Sequence, residues 1–351
     1  MANIDLEKLN TLIEQGMITS RAHPSGQLTI YNYTTKTQYK NCWTEESMQC
    51  RGLICDNNGN IIARPFKKFF NLDEHKGPLP DEYFDVYEKL DGSLGILYFF
   101  QEVPYISSRG SFDSKQALIA STMLHGQYKN SIPLLDKTKT YLFELIHPEN
   151  KFVVDYGEEK SLNLLAIIDT ETGQEYNFQE HIGLGFPLVK NFNAKDIKEL
   201  KQLNLTNKEG FVIKFKNGLR LKLKFANYTE MHAVVSKITN VTVWEMLREK
   251  KSFEEMISNL PDELFAWIEE LTNGFLSEFK TIENNSRADF IKIMSSLNNQ
   301  DRRKLAIQAK NSEYTKIIFA MVDNKNYEEI IWQMLKPEKE LPFRLRKQIK
   351  K

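Results

Sequence analysis

The chain has 351 residues, of which 41% are hydrophobic and 27% are charged, as in a globular protein long enough for two domains. Its 47 basic and 47 acidic residues cancel, so any affinity for nucleic acid must come from a local positive patch. Three cysteines are too few, and odd in number, for a disulfide framework. No apolar run approaches the roughly 20 residues of a membrane helix, so we expect a cytoplasmic protein without a membrane segment.

Short strands joined by turns are predicted up to about residue 228. The candidate strands are 28–33, 52–55, 61–62, 84–87, 94–100 and 141–146. Asn217-Gly218, between two alternating runs, is the strongest hairpin signal in the chain. Two helices are predicted among these strands, at 114–127 and 194–203.

Beyond Tyr228 the pattern becomes helical. Apolar residues at steps of three and four predict one helix face, formed by Ile268, Leu271, Phe275, Phe279 and Ile282. Ser286 and Asp289 resemble a capping box that would begin a new helix, and further helices are expected at 301–310, 313–322 and 327–335. The sequence therefore predicts an α+β fold, with an antiparallel-sheet domain over 1–235 and an all-helical domain over 236–351.

The most informative motif is Lys89-Leu90-Asp91-Gly92-Ser93, which lies between two predicted strands. A lysine at a strand end, followed by a carboxylate and a glycine, suits a buried nucleophile beside a nucleotide. Gly92 would let the backbone approach a ribose or phosphate, because glycine has no Cβ to clash. Lys89 can attack phosphorus once its amine is unprotonated, which a desolvated or cation-rich pocket favours.

Cations and carboxylates that could complete such a site follow later in the chain. Arg220, Lys222 and Lys224 alternate with apolar residues, so they share one face of a strand. Glu144 lies inside an apolar strand, where an unpaired charge is expensive, and Glu209 precedes another strand. The alternatives are a solvated basic strand face and two carboxylates in ordinary salt bridges.

The order of these residues resembles motifs I, III, IV and V of the covalent nucleotidyltransferases. Within that superfamily the chain resembles the bacteriophage tRNA-repair type of ATP-dependent RNA ligase. The resemblance covers about residues 50–228. Its supporting segments are Arg51-Gly52, Lys68-Phe69-Phe70-Asn71, Ser108-Arg109-Gly110-Ser111, Gln116-Ala117-Leu118 and Glu171-Thr172-Gly173.

The resemblance implies a role for each matching residue. Lys89 would form a lysyl-AMP, and Lys222 and Lys224 would bind the α-phosphate of ATP. Arg51 and Lys68 would contact phosphates of the nucleotide or of the RNA end. Phe70 would be an aromatic residue that packs in or positions the same segment. Arg109, where relatives carry lysine, would contact pyrophosphate. Asp91, Glu144 and Glu209 would orient Mg²⁺ or Mn²⁺ directly or through water.

The implied activity is the sealing of 5′-phosphate and 3′-hydroxyl RNA ends by a monomer, with a cleaved tRNA anticodon loop as the candidate substrate. The helical domain would recognise tRNA, and the sequence leaves open whether a separate kinase-phosphatase prepares the ends. The alternatives are a DNA ligase, a capping-type enzyme, and a catalytically inactive RNA-binding relative. A basic tail over 336–351 could contact RNA phosphates or simply be solvated.

Overall fold

The computed structural model describes residues 2–150, 153–177, 182–194, 196–251, 262–296 and 302–342. The basic tail beyond residue 342 lies outside these ranges. The chain divides into two compact units, Met1–Thr229 and Glu230–Lys351. In the described ranges the first unit contains sheets and short helices and the second is helical, which confirms the predicted α+β class.

Three sheets form the framework of the first unit. The strands are β1 Ile18–Ala22, β2 Leu28–Tyr33, β3 Arg51–Asp56, β4 Ile61–Ala63, β5 Phe70–Asn71, β6 Phe84–Lys89, β7 Ser93–Phe100, β8 Val103–Ser108, β9 Lys139–Ile146, β10 Ser161–Asp169, β11 Asn191–Phe192, β12 Gly210–Phe215 and β13 Arg220–Lys224. Sheet A has the order β1-β2-β3-β4, sheet B the order β10-β9-β7-β8, and sheet C the order β11-β6-β12-β13-β5. Neighbouring strands are antiparallel, except that β13 and β5 pair in parallel.

Helices cover the sheets and lead into the second unit. They are α1 Leu6–Glu14, α2 Thr35–Lys40, α3 Glu45–Gln49, α4 Lys115–His125, α5 Ile197–Gln202 and α6 Ala226–Lys237. The predicted helices at 114–127 and 194–203 are confirmed as α4 and α5. Helices α1, α2 and α3 were not predicted from the sequence. They are short and begin at the capping side chains of Asp5, Thr34 and Thr44.

Sheets A and B pack face to face, and sheet C has a core of its own. Ile30 and Ile54 of sheet A share a buried cluster with Ile96 and Leu142 of sheet B. A separate cluster joins the apolar face of sheet C, including Ile213, to α5. Residues 89–93 run from the end of β6 in sheet C to the start of β7 in sheet B. The motif around Lys89 is therefore a crossing between two sheets rather than a hairpin.

One long helix organises the second unit. Its helices are the end of α6, α7 Asn240–Arg248, α8 Asp262–Ser296, α9 Arg302–Ala309, α10 Thr315–Val322 and α11 Glu328–Met334. Helix α8 contacts each of α7, α9, α10 and α11. The capping box predicted at Ser286 is wrong, because Ser286 lies within α8, is 0% exposed, and donates its hydroxyl to the Glu283 carbonyl oxygen. None of the helices in the described ranges is both long and apolar enough to cross a membrane.

Candidate active site

Three neighbouring strands of sheet C bring Lys89, Glu209 and Lys224 together. Gly210, the first residue of β12, pairs with Lys89 on β6 and with Lys224 on β13. Gly210 has a φ of 149°, and a Cβ there would collide with the carbonyl oxygen of Leu223, so this position requires glycine. Glu209 directly precedes Gly210 and is therefore held between the two lysines.

The Glu209 carboxylate bridges both lysine side chains. Its Oε2 accepts a hydrogen bond from Lys89 Nζ at 2.7 Å, and its Oε1 lies 3.0 Å from Lys224 Nζ. Glu209 is only 4% exposed. Because one carboxylate contacts a lysine through each of its oxygens, it fixes the position of both amines.

Lys89 opens onto a pocket with charged and apolar walls, which we call the Lys89 pocket. Its charged lining residues are Arg51, Glu88, Lys89, Glu144, Arg220, Lys222 and Lys224. Its apolar and aromatic lining residues include Phe66, Phe69, Tyr87, Leu94 and Val212. The tertiary structure thus gathers residues from β3, β6, β9 and β13 around one lysine. A pocket of this kind, with convergent polar groups on apolar walls, is the usual form of a ligand site.

The Phe69 ring is the centre of the cation cluster in this pocket. Lys222 Nζ lies 5.1 Å from the ring centroid, and the guanidinium carbons of Arg51 and Arg220 lie 5.6 and 5.8 Å from it. Burial and, to a lesser extent, the nearby cations, beginning with Lys68 and Arg51, together lower the pKa of Lys222 to about 7. Arg51 and Lys222 form no ion pair in the described part of the chain, so the pocket holds uncompensated positive charge.

An unsatisfied donor also points to an anionic ligand. Nη1 of Arg51 is buried and has no hydrogen-bond partner, and burial lowers the pKa of this guanidinium from its ordinary value. Buried polar groups almost always have partners, so an orphaned donor calls for an explanation. Phosphate oxygens would satisfy Arg51 and offset the charge of Lys222, because guanidinium and ammonium groups both bind phosphate.

Glu144 faces the same pocket from β9. Its Oε1 accepts a hydrogen bond from the Gly92 backbone N–H at 3.1 Å. Burial raises the pKa of the Glu144 carboxyl and Lys89 opposes this shift, so that the net pKa is about 7. A Cβ on Gly92 would collide with the Leu145 carbonyl oxygen. Gly92 is therefore explained by its packing against β9, whereas the sequence pattern predicted close approach of a nucleotide at this residue.

Asp91 does not line the Lys89 pocket, and its carboxylate and backbone N–H already have hydrogen-bond partners. Its Oδ2 accepts hydrogen bonds from the N–H groups of Val153 and Val154 at 2.8 and 2.9 Å, and its Oδ1 accepts one from the Tyr228 hydroxyl at 2.8 Å. Its backbone N–H donates to the hydroxyl of Tyr156. The carboxylate is 6% exposed and faces three donors. This geometry favours anchoring of the 89–93 segment over the metal-binding role that the resemblance implies for Asp91.

Lys68 and Phe70 lie next to the Lys89 pocket rather than in its lining. Lys68 Nζ is surrounded by aromatic rings, with centroids 5.5 Å away for Tyr33 and 5.2 Å away for both Trp43 and Phe70. Burial lowers the pKa of Lys68. Arg109 packs against the same tyrosine, 5.3 Å from its ring centroid, and also lies outside the lining of the pocket.

A divalent cation fits the acidic side of the pocket only with help from other ligands. Across the described ranges, no three His, Cys, Asp or Glu side chains are grouped so that they could hold a metal ion. Glu144 and Glu209 supply two carboxylates near Lys89. This donor set suits Mg²⁺, which is commonly held by one or two carboxylates together with water and substrate phosphates.

Three contributors to the site were missed at the sequence level. Phe69 was noted only as part of a matching segment, and its position between Lys68 and Phe70 was the available signal. Tyr228 follows Lys224 by four residues and lies in the first turn of α6, but no local pattern links it to Asp91. Trp43 had no signal, because it reaches Lys68 only through the tertiary fold.

A sequence profile of the RNA ligase family matches residues 49–231, which include every site residue predicted from the sequence. The chain belongs to the RNA ligase family. The predicted resemblance to this family is thereby confirmed.

Two relatives of this RNA ligase match the chain over only part of their own length. A Thermovibrio ammonificans protein described as an RNA ligase is 30% identical over 251 residues, which cover 66% of this chain and 63% of that protein. An Autographa californica nuclear polyhedrosis virus protein described as a bifunctional polynucleotide kinase/RNA ligase is 26% identical over 285 residues, covering 72% of this chain and 40% of that protein. The chain thus spans less than two thirds of either relative. An archaeal ATP-dependent RNA ligase structure aligns with a TM-score of 0.44 and 15% identity, covering 80% of this chain and 79% of that one.

Proposed function

We propose that the chain is an ATP-dependent RNA ligase that joins 5′-phosphate and 3′-hydroxyl ends through a lysyl-AMP and an RNA-adenylate. The observation that carries this proposal is the bridging of Lys89 and Lys224 by buried Glu209, beside cations that form no ion pair in the described ranges. A positive pocket around one lysine suits a triphosphate, and membership of the RNA ligase family supports RNA as the strand that is sealed.

In the first step, Nζ of Lys89 would attack the α-phosphorus of ATP. A nitrogen–phosphorus bond forms, the bond from the α-phosphorus to the bridging oxygen breaks, and pyrophosphate leaves. Glu209 Oε2, at 2.7 Å from Lys89 Nζ, would hold the proton that the amine loses. Lys222, Lys224 and Arg51 would stabilise the negative charge that develops on the phosphate oxygens.

Mg²⁺ or Mn²⁺, when bound, would neutralise charge on the triphosphate and orient its oxygens. Glu144 and Glu209 would hold the ion, directly or through water. Burial raises the pKa of Glu144, and a nearby cation would favour its carboxylate form.

The later steps would transfer AMP from Lys89 to the 5′-phosphate of RNA and then seal the strand. A 3′-hydroxyl attacks the activated phosphate, the new phosphodiester forms, and AMP leaves. We propose a cleaved tRNA as the natural substrate, with the helical unit contributing to its recognition. The viral relative is described as both a kinase and a ligase, which supports preparation of the ends by a kinase acting before this chain.

Labelling of the protein by nucleotide tests the proposal directly. The protein is incubated with Mg²⁺ and α-labelled ATP and then separated by denaturing electrophoresis. The intact chain and the control Lys129→Ala, an exposed lysine outside the Lys89 pocket, should retain label, whereas Lys89→Ala should retain none. Equal labelling of Lys89→Ala would remove the assigned nucleophile.

Substrate choice separates the proposal from its alternatives. The labelled protein is offered 5′-phosphorylated RNA or DNA strands, and GTP replaces ATP in a parallel reaction. An RNA ligase should pass its label to RNA and react poorly with GTP. Transfer to DNA alone would favour a DNA ligase, efficient labelling by GTP would favour a capping-type enzyme, and binding of RNA without labelling would favour an inactive relative.

A further inference from the structure

A large groove with basic walls adjoins the Lys89 pocket within the first unit. It has a volume of about 1010 Å³ and lies between the segment from β4 to the turn after β5, the loop after β10 and the β12–β13 hairpin. We call it the basic groove. Its basic lining residues other than Arg220 are Arg64, Lys67, Lys68, Lys76, Lys214 and Lys216.

The groove carries a positive charge that the chain as a whole does not. With Arg220, seven basic side chains line it against the three carboxylates of Glu45, Glu74 and Glu175. Seven against three leaves an excess of four positive charges, whereas the 47 basic and 47 acidic residues of the chain cancel. Such a local concentration of one charge creates a field that attracts an anionic partner.

Internal ion pairs do not account for this excess. Glu175 pairs with both Lys214, at 2.9 Å, and Arg220, at 2.5 Å. Lys76 and Lys216 are exposed and have no carboxylate partner in the described ranges. These two lysines are therefore available to an anion at the surface.

The groove and the Lys89 pocket share part of their walls. Phe66, Phe69 and Arg220 line both of them. Along β13 the basic face continues from Lys224, beside Lys89, through Lys222 to Arg220 at the shared wall. Because residues two apart on a strand face the same side about 6.5–7 Å apart, this face forms a row of cations from one cavity into the other.

We infer that the basic groove binds the phosphate backbone of the 5′-phosphorylated RNA strand. This inference rests on the proposed function. Once AMP is joined to the RNA 5′-phosphate, the strand must leave the nucleotide pocket through an opening that tolerates successive phosphates. The basic groove offers that path, and the partly exposed rings of Phe69 and Phe70 in its wall offer surfaces on which bases can stack.

Charge reversal at the exposed end of the groove tests this inference. The double variant Lys76→Glu/Lys216→Glu changes two lysines that line the groove and lie outside the Lys89 pocket. The matched control is Lys129→Glu, which reverses an exposed lysine outside both cavities. Affinity for a 5′-phosphorylated single-stranded RNA is measured by fluorescence anisotropy without ATP, from about 50 to 200 mM salt, where phosphate contacts weaken measurably.

The double variant should bind RNA at least tenfold more weakly, while the control binds like the unmodified protein. The slope of log K against log salt is about −0.7 for each phosphate contact with a single strand, so the loss of two contacts should make the slope less negative by about 1.4. Labelling by ATP should be unchanged, and transfer of AMP to RNA should fall.

Three results would overturn the inference. These are unchanged RNA affinity in the double variant, an equal loss in Lys129→Glu, and a loss of ATP labelling as large as the loss of RNA affinity. The last result would assign the groove to the triphosphate. Because RNA binding is measured without ATP, an unmodified protein that fails to label would contradict the proposed function and leave the test of the groove intact.

Discussion

Replacing Lys222 with methionine is expected to stabilise the protein while removing its reaction with ATP. The Lys222 ammonium lies 5.1 Å from the Phe69 ring centroid and has no ion-pair partner in the described ranges. Methionine has a similar length and packs well against aromatic rings, so the substitution removes the charge while nearly preserving the volume. Lys222, which we propose to bind phosphate, is thus expected to destabilise the protein when no ligand is bound.

The size of the effect follows from the pKa of Lys222. The ordinary value of 10.5 falls to about 7 in the folded protein, chiefly through burial. At about 1.4 kcal/mol for each pH unit, the difference corresponds to an upper limit of roughly 5 kcal/mol. Relaxation and water penetration reduce such penalties, so we expect a gain of about 2–3 kcal/mol near pH 7 and a rise in melting temperature of roughly 5–10 °C.

The stability gained through Lys222→Met should decrease as the pH rises. Between about pH 7 and 10.5 the unfolded chain keeps the Lys222 proton and the folded protein releases it, so stability rises with pH across this window. The destabilisation is fully present below pH 7 and is lost as the pH approaches 10.5. Lys222→Met should therefore be most stabilising at or below pH 7 and nearly neutral at the alkaline end.

Thermal unfolding at pH 6.5, 8 and 9.5 measures this dependence. The control is Lys129→Met, because Lys129 is exposed and its charge is solvated. The control should melt within about 2 °C of the unmodified protein, since surface substitutions away from such features change stability by only ~0.5 kcal/mol. If Lys222→Met melts at or below the unmodified protein at pH 6.5, Lys222 is not a strained cation and the reasoning fails.

Two further substitutions probe the surroundings of the site. Phe69→Leu keeps an apolar side chain but removes the ring contacted by Arg51, Lys222 and Arg220, so KM for ATP should rise about 2- to 30-fold, as expected for cation–π contacts of roughly 0.5–2 kcal/mol. An unchanged KM in initial-rate measurements would mean that the ring does not position these cations. Tyr228→Phe removes the 2.8 Å hydrogen bond to Asp91 and should lower the free energy of unfolding by roughly 1.5–3 kcal/mol in urea titrations. A loss below about 0.5 kcal/mol would show that the backbone N–H groups alone hold this carboxylate.

Much of the local architecture could be predicted from short patterns. The alternation around Asn217-Gly218 predicted the β12–β13 hairpin, and the apolar run at 141–146 predicted β9, because strand periodicity and turn residues act over a few neighbours. The same reasoning was wrong at Ser286, where a capping pattern lies inside α8. Packing of α8 against its neighbours continues the helix past a residue that would cap an isolated one.

The chemical types of the site residues were likewise readable in the chain, since Lys89 ends a strand and Lys222 and Lys224 alternate with apolar residues. The partners of these residues could not be read from the sequence. Glu209 meets Lys89 across 120 residues of sequence, and Phe69 and Asp91 acquire their neighbours from strands and loops that no local period connects. Residue types and periodicity are properties of neighbours along the chain, whereas burial, pairing and the charge of a groove depend on which distant segments the folded sheets bring into contact.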